Sequence, residues 1–404
     1  MTEIINFGQV ALAGAFLKPE QFVGEAVYPL RLYFCNDCFS VQVIDKVNAE
    51  VLFGNYFYFS SAIGTLREHF LAYAAEVTSR FLKPETSTVI EFGCNDGVLL
   101  RPLADQRIRT VIGVDPATNI VKMINDPRII VINDFFNEDV TEKIIADYGK
   151  TDMVVANNVY AHISDIQGVT RAIRKVLKDD GVFIFEVHYL GKVINGLQYD
   201  MIYHEHLYYY SLLALTKHFD RYEMMVFDVK SIPIHAGSMR YYVCKKGSRH
   251  SSTVSPQVAA LREEELANGY HRAETYARFA VDVADRKGKL MDLLTRLKAK
   301  GHSIAGYGAS GRANTMIQYC GIDHRHLDYM IDDAPAKSGF YTPGSHFLIQ
   351  PGSVLQLSPP PDYLLIFAWS FVNEIAKKCG DYLGSGGRMI VPLPNVEIVM
   401  HPAG

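Results

Sequence analysis

The sequence lacks several features that mark other classes of protein. No apolar run approaches the ~20 residues of a membrane-spanning helix, and the N-terminus lacks the basic-then-apolar order of a signal peptide. Six cysteines in 404 residues are too few and too scattered for a disulfide framework. Lys and Arg total 40 against 44 Asp and Glu, without the basic clustering that nucleic acid binding needs. We expect a cytoplasmic globular protein, a monomer or a small homo-oligomer, without a nucleic acid or membrane partner.

The chain is too long for one ordinary core and divides into four predicted segments. Residues 1–62 contain an alternating apolar pattern around two cysteines and predict a small β-rich module. Residues 63–250 alternate apolar strands with amphipathic segments, which is typical of an α/β fold with a doubly wound parallel sheet. Residues 251–300 predict a helical connector, and residues 301–404 predict a second Rossmann-like unit.

A glycine-containing turn follows the first predicted strand of the second segment, with the sequence Glu91-Phe-Gly-Cys-Asn-Asp-Gly97. Its spacing differs from the GxGxxG of dinucleotide sites. It resembles motif I of class I methyltransferases, in which a carboxylate faces the ammonium group of S-adenosylmethionine. The candidate cofactor-binding residues in this turn are Glu91, Gly93, Asn95, Asp96 and Gly97.

Polar residues also end the next three predicted strands. Asp115 lies where a carboxylate can accept hydrogen bonds from both ribose hydroxyls. Asp134 and Phe135 could hold the adenine by a polar contact and a ring face, and Asn157 closes the fourth strand. Singly, each could instead cap the following helix. Their order along the chain favours a methyltransferase.

The segment Tyr203-His204-Glu205-His206 is the most unusual local feature. Two histidines at this spacing could bind a metal with His162, His188 or His235 as further ligands, and the tyrosine-rich stretch could be a half-buried strand. The alternative we favour is general acid/base chemistry.

Taken together, GCNDG, NNVYAHI, YHEH, IHAGSMR, GYGASGRANT, FYTPGSH and FAW, in this order, resemble the sugar C-methyltransferases that act on nucleotide-linked 4-keto-deoxy sugars. The resemblance covers nearly the whole chain. It implies a zinc-binding-type N-terminal module, a central S-adenosylmethionine domain and a C-terminal Rossmann-like domain that holds the sugar nucleotide. It also implies methyl transfer to a carbon, expected to be C3, beside the C4 ketone of a sugar expected to carry dTDP.

The resemblance implies catalytic roles for five residues. His206 is the expected base that removes a proton from the sugar carbon. Tyr203 and Glu205 are expected to orient it or to stabilise the enolate oxygen, His162 faces the substrate, and Tyr58 comes from the N-terminal module.

The C-terminal segment is expected to hold the substrate's diphosphate. The turn and helix start after its first strand would offer backbone N–H groups and a guanidinium, although the glycines could instead only permit close packing. A downstream segment, KSGFYTPGSH, could reach the same ligand. The candidate substrate-binding residues are Gly306, Gly308, Ser310, Arg312, Asn314, Lys337, Tyr341 and His346.

The N-terminal module departs from the family pattern of two cysteine pairs, because only Cys35 and Cys38 are present. Two thiolates do not complete a tetrahedral zinc site. Either the natural chain begins upstream of Met1, or the module folds without metal; zinc is the less favoured of the two outcomes.

Two rival functions stay open at this point. Two glycine-rich turns could serve a nucleotide-sugar oxidoreductase or epimerase, although a YxxxK pair near a GxGxxG strand is missing. A catalytically silent nucleotide-binding scaffold is the other alternative.

Overall fold

The computed structural model describes residues 1–53, 60–62, 64–234, 236–356 and 359–400. Its strands are β1 (Thr2–Ala11), β2 (Val27–Phe34), β3 (Val41–Val43), β4 (Thr88–Phe92), β5 (Thr110–Val114), β6 (Ile129–Ile132), β7 (Thr151–Asn157), β8 (Leu177–His188), β9 (Tyr208–Tyr209), β10 (Met224–Ile232), β11 (Ser238–Lys245), β12 (Ile304–Tyr307), β13 (Tyr329–Ile331), β14 (Ile349–Gln350), β15 (Tyr363–Ile366), β16 (Arg388–Val391) and β17 (Glu397–Val399). Its α-helices are α1 (Ala49–Phe53), α2 (Gly64–Phe81), α3 (Leu100–Asp105), α4 (Thr118–Val121), α5 (Glu138–Tyr148), α6 (Ile166–Val176), α7 (Leu190–Asn195), α8 (Leu212–Asp220), α9 (Pro256–Ala267), α10 (Ala273–Ala299), α11 (Gly311–Cys320), α12 (Val372–Lys378) and α13 (Gly380–Gly384).

The central unit is built on a sheet of order β10-β11-β8-β7-β4-β5-β6. The five strands β4 to β8 are parallel, whereas β11 runs antiparallel to both of its neighbours. Strand β4 is buried along its whole length, as expected for a strand covered on both faces. The predicted α/β class with a class I methyltransferase Rossmann-like sheet is confirmed.

The N-terminal and C-terminal units each have their own sheet. The first has the order β1-β2-β3-β9, and the alternating apolar pattern around the two cysteines forms the antiparallel pair β2–β3. The second has the order β14-β13-β12-β15-β16-β17 and is parallel except for β17. A second Rossmann-like layer therefore follows the central unit, as predicted.

The three units are not independent, because one core joins the first to the third. Phe34 of β2 lies 4.4 Å, between ring centroids, from Tyr276 of α10. The same buried cluster continues through Phe279 to Ile304 of β12. Strand β9, which follows the YHEH segment, also completes the N-terminal sheet. The domain boundaries at residues 62, 250 and 300 stay a prediction, and these contacts cross them.

No helix in the described part of the chain combines the length and the apolar character that crossing a bilayer requires.

Candidate active site

A cavity of about 760 Å³, here called the central cavity, lies at the carboxyl ends of the parallel strands of the central sheet. This is the edge at which doubly wound folds bind ligands, and the volume is typical of a ligand pocket. The structure brings together on its wall the predicted residues Gly93, Asn95, Asp115, Phe135, Asn157, His162, Tyr203, Glu205, His206 and Arg312.

The turn after β4 lets the backbone approach this cavity closely. Gly93 has φ +64°, and a Cβ there would lie 2.2 Å from Cγ2 of Val159, so no other residue fits. The N–H of Asn95 donates to Asp115 Oδ2 at 2.9 Å, and the N–H of Ala117 donates to Oδ1 at 2.9 Å. Burial raises the pKa of Asp115 although both donors oppose the rise. Asp115 is therefore held rigidly at the wall.

Glu91 lies behind the same turn and is buried. Asn157 Nδ2 donates to Glu91 Oε1 at 3.0 Å. Burial raises the pKa of Glu91 to about 8, opposed by the bond from Asn157 and assisted by the nearby charges of Asp115 and Asp96. Glu91 Oε2 and Asn157 Oδ1 are buried and have no hydrogen-bond partner within the described residues. This pair of acceptors beside the cavity suits a cationic ligand group.

The remaining residues of the predicted cofactor set have local roles. Asp96 accepts hydrogen bonds from the N–H and the hydroxyl of Ser61, and Asn95 Oδ1 accepts from the N–H of Ser60 at 3.1 Å, so both hold the turn at residues 60–62. Gly97 has φ +77°, and Asp134 Oδ1 accepts from the N–H of its neighbour at 2.7 Å on an exposed surface. Among the predicted cofactor residues, Glu91, Asp96, Gly97 and Asp134 do not line the central cavity.

His206 is fixed by the backbone of its own segment. Its Nδ1 lies 2.8 Å from the carbonyl oxygen of Met201, which also accepts from the Tyr209 hydroxyl at 3.1 Å. A carbonyl oxygen can only accept, so Nδ1 carries the proton. In neutral His206 the basic lone pair is therefore on Nε2.

Aromatic rings surround this imidazole. The ring centroid of Tyr203 lies 4.0 Å from that of His206, and the ring centroid of His162 lies 5.0 Å from it. Burial lowers the pKa of His162 well below its ordinary value, and His206 lowers it further, so His162 is neutral. Glu205 lines the same wall. The predicted Tyr58 lies outside the described residues.

His204 has a different environment from its neighbours. It is buried, its Nε2 lies 3.0 Å from the carbonyl oxygen of Pro29 on β2, and burial lowers its pKa. It attaches the segment to the N-terminal sheet. Within the described ranges no three His, Cys, Asp or Glu side chains are grouped as metal ligands, and His235 lies outside those ranges.

Arg312 is the substrate-binding candidate that the structure brings to the cavity. A Cβ at Gly306 would lie 2.2 Å from the sulfur of Met330, which favours the close-packing interpretation of that glycine. The N–H of Gly308 donates to Ile331 at 2.8 Å and is not available to a diphosphate. Ser310 caps α11 by accepting from the N–H of Ala313.

The other four candidates are not at the cavity and connect to other parts of the chain. Asn314 Nδ2 donates to the carbonyl of Ala11 at 3.1 Å. Lys337 Nζ contacts the Ala309 carbonyl at 2.7 Å and Asp332 at 3.0 Å. Tyr341 forms a β-bridge with Leu17, and His346 Nε2 lies 2.8 Å from Glu25. The geometry gives no support to a ligand contact from Asn314, Lys337, Tyr341 or His346, because they attach the N-terminal segment or stabilise their own loop.

Cys35 and Cys38 lie at the turn between β2 and β3, where the N–H of Phe39 donates to the Cys35 carbonyl at 2.8 Å. Both thiols are partly exposed and are not in a disulfide. Within the described residues no third ligand is grouped with them, and two sulfur donors alone do not complete a tetrahedral zinc site.

Sequence reasoning missed several residues of this site. Asp200, which lies three residues before Tyr203 of YHEH, is fully buried and pairs with Arg312 at 2.8 Å. Trp369 donates to the same carboxylate at 2.9 Å. The motif FAW includes this tryptophan, but a sequence pattern does not reveal which carboxylate it meets.

Comparisons with known proteins cover all three units. Residues 1–53 match the family model "Putative zinc binding domain", residues 66–226 match "Methyltransferase domain", and residues 233–394 match "C-methyltransferase C-terminal domain". The C-methyltransferase NovU of Streptomyces niveus is 31% identical over 398 residues, covering 98% of this chain and 94% of NovU.

Solved structures resemble part of the chain. A magnesium protoporphyrin IX methyltransferase of Synechocystis is 13% identical, with a TM-score of 0.35, covering 44% of this chain and 83% of that protein. An S-adenosylmethionine-dependent methyltransferase of Clostridium acetobutylicum is 14% identical, with a TM-score of 0.33, covering 46% and 93%.

Proposed function

We propose that this chain, which belongs to the C-methyltransferase family, methylates a carbon beside the C4 ketone of a nucleotide-linked 4-keto-deoxy sugar. The chain is an S-adenosylmethionine-dependent C-methyltransferase. Carbon C3 as the acceptor, dTDP as the nucleotide and an enolate as the intermediate are our proposals. The observation that carries them is a histidine of fixed tautomer in the cavity that also holds the methyl donor's candidate ligands.

The residues at the carboxyl ends of β4, β5 and β7 fit S-adenosylmethionine. Glu91 Oε2 and Asn157 Oδ1 are buried acceptors without a described partner, which suits the donor's ammonium group. Asp115 lines the wall at the end of β5 and is our candidate for binding the ribose hydroxyls. The bound donor supplies an electrophilic methyl group on a sulfonium. Acidic side chains on the wall favour this cation.

His206 has the properties of a base for an acidic carbon. Because Met201 holds Nδ1–H at 2.8 Å, the ring is oriented and presents the Nε2 lone pair. Imidazole also has an ordinary pKa close to neutrality, which suits general base catalysis. Neutral His162 at 5.0 Å adds no positive charge beside the imidazolium that would form.

The proposed step conserves atoms and charge. His206 Nε2 takes the proton from the carbon next to the ketone, and the C–H electron pair moves to form an enolate. The enolate carbon then bonds to the methyl carbon, while the C–S electron pair stays on sulfur and leaves S-adenosylhomocysteine. Tyr203 and Glu205 lie at the same wall and are the candidates for orienting the base or donating to the enolate oxygen.

The charged residues on the cavity wall come from different units of the chain. The described acidic residues on its wall are Asp115, Glu138, Asp139, Asp165 and Glu205. Arg312 is the only Lys or Arg on the wall within the described residues, and it comes from the C-terminal unit. An anionic diphosphate is therefore expected beside Arg312, and the cationic methyl donor beside the acidic residues of the central unit.

Ligand binding and one variant test this function against its rivals. We expect S-adenosylhomocysteine, but not NAD, to bind in isothermal titration; tight NAD binding without S-adenosylhomocysteine binding would favour the oxidoreductase or epimerase. His206→Asn should keep the affinity for S-adenosylmethionine and abolish turnover. Unchanged turnover would remove His206 as the base, and a wild-type protein that binds both ligands without reaction would favour the scaffold.

A further inference from the structure

A fully buried carboxylate, Asp200, joins the segment of the base to the C-terminal unit. It lies in the 3-10 turn Tyr199–Met201. Its Oδ2 accepts from Arg312 Nε at 2.8 Å and from Trp369 Nε1 at 2.9 Å. Its Oδ1 is buried without a hydrogen-bond partner among the described residues. One oxygen therefore carries the bonds that orient both side chains.

The guanidinium of Arg312 is restrained on several sides. Its centre lies 4.7 Å from the ring centroid of Trp369, and its Nη1 donates to Ser370 Oγ at 3.3 Å. Nη2 lies 2.8 Å from Asp200 Oδ2 but makes no hydrogen bond of normal geometry within the described residues. A planar guanidinium held in this way is preorganised to bind an anion with its outer N–H groups.

The same short turn also fixes the base. Met201, the residue after Asp200, supplies the carbonyl that holds His206 Nδ1 at 2.8 Å. Two adjacent residues of one turn thus set the position of the cavity's cation and of its base. The distance between Arg312 and His206 is consequently set by residues 199–201.

A purely structural role for the Asp200–Arg312 ion pair explains its burial less well than a role in ligand binding. Removing two charges from water is unfavourable, and buried pairs are often no more stabilising than apolar residues of similar volume. Here the pair also places its cation on the wall of an otherwise acidic cavity. The position of Arg312 on the cavity wall therefore explains why the desolvation cost of the Asp200–Arg312 pair is tolerated.

We propose that Asp200 is a positioning residue that holds Arg312 and Trp369 as one unit for binding the diphosphate of the substrate. This inference rests on the proposed function. Asp200 sets the plane of the guanidinium, and Met201 keeps the base at a fixed distance from it.

Trp369 is the single tryptophan of the protein, so its fluorescence reports ligand binding at this site. We would titrate the full chain with thymidine diphosphate and follow tryptophan fluorescence. Asp200→Asn removes the charge that orients Arg312 and should weaken binding about 10- to 100-fold. Affinity for S-adenosylhomocysteine, measured in parallel, should be unchanged and shows that the variant is folded.

A matched control makes the same substitution in an exposed pair. Asp323 binds Arg325 at 2.6 Å on the surface of the C-terminal unit, so Asp323→Asn should bind thymidine diphosphate like the wild type. Arg312→Lys keeps the charge but loses the planar fork, and it should weaken binding about tenfold. If Asp200→Asn does not fold, the affinity of Arg312→Lys for thymidine diphosphate tests the proposal instead.

The outcomes separate the inference from the function on which it rests. Wild-type affinity in folded Asp200→Asn, or in Arg312→Lys, overturns the role of the unit and leaves the methyltransferase proposal intact. A wild-type protein that binds S-adenosylhomocysteine but not thymidine diphosphate contradicts both the nucleotide-linked substrate and the inference.

Discussion

Glu91 should make the affinity for S-adenosylmethionine depend on pH. Burial raises the pKa of its carboxyl to about 8 in the ligand-free protein. At pH 7 about nine-tenths of the molecules then carry the protonated form. The donor's ammonium group favours the ionised form, so binding near neutrality should release close to one proton.

The size of the effect follows from the ionised fraction. If the ionised form is the one that binds, a pKa of about 8 gives a roughly ninefold rise in affinity from pH 6 to pH 7. Isothermal titration in two buffers of different ionisation enthalpy counts the released protons. Glu91→Gln cannot ionise, so its affinity should be flat over this range and below that of the wild type throughout it.

A second buried carboxyl provides the control. Burial raises the pKa of Glu265 to about 7, but its oxygens accept from the N–H groups of Leu212 and Leu213. Neither Glu265 nor these two partners line the central cavity, whereas Asn157, the partner of Glu91, does. Glu265→Gln should keep the pH dependence of binding. Affinity independent of pH in the wild type, with no proton released, would refute the assignment of Glu91 to the ammonium group.

Three further predictions concern other parts of the molecule. Tyr203→Phe should reduce turnover about 10- to 1000-fold in a methyl-transfer assay if its hydroxyl supports the enolate; a normal rate would make the tyrosine structural. Replacing Cys35 and Cys38 by serine should barely change the melting temperature, and a large drop, or one equivalent of zinc by elemental analysis, would contradict a metal-free module. Gly306→Ala should cost about 1–3 kcal/mol in urea unfolding because its Cβ would overlap Met330. Gly288→Ala, with nothing within 4 Å and lying inside α10, should be neutral or stabilising.

Local periodicity was sufficient to predict most elements. The apolar spacing over residues 63–82 predicts a helix, and α2 runs over Gly64–Phe81. The charged stretch over residues 261–300 predicts one or two helices, and α9 and α10 occupy it. Strand ends in a parallel sheet converge at one edge, which is why Asp115, Asn157 and the turn after Glu91 could be associated from sequence.

Long-range pairing could not be predicted in the same way. Strand β9 has two residues, and it pairs with β3 across more than 160 positions of sequence. The sequence around Asn314 suits an anion site, but its amide meets the Ala11 carbonyl instead. A glycine at a strand end can allow either close approach of a ligand or close packing of side chains. For Gly306 the structure distinguishes the two, because a Cβ there would overlap Met330. Asp200 gives no local signal because its partners are 112 and 169 residues away.

Deuterium exchange tests the central claim, removal of a carbon-bound proton by His206, most directly. Nucleotide-linked 4-keto-6-deoxy sugars would be incubated with the protein in heavy water, with and without S-adenosylmethionine, and analysed by mass spectrometry. We predict exchange at the carbon beside the ketone without the donor, a mass gain of one methyl group with it, and neither with His206→Asn. Methyl transfer to oxygen, or exchange that persists in His206→Asn, would contradict the account.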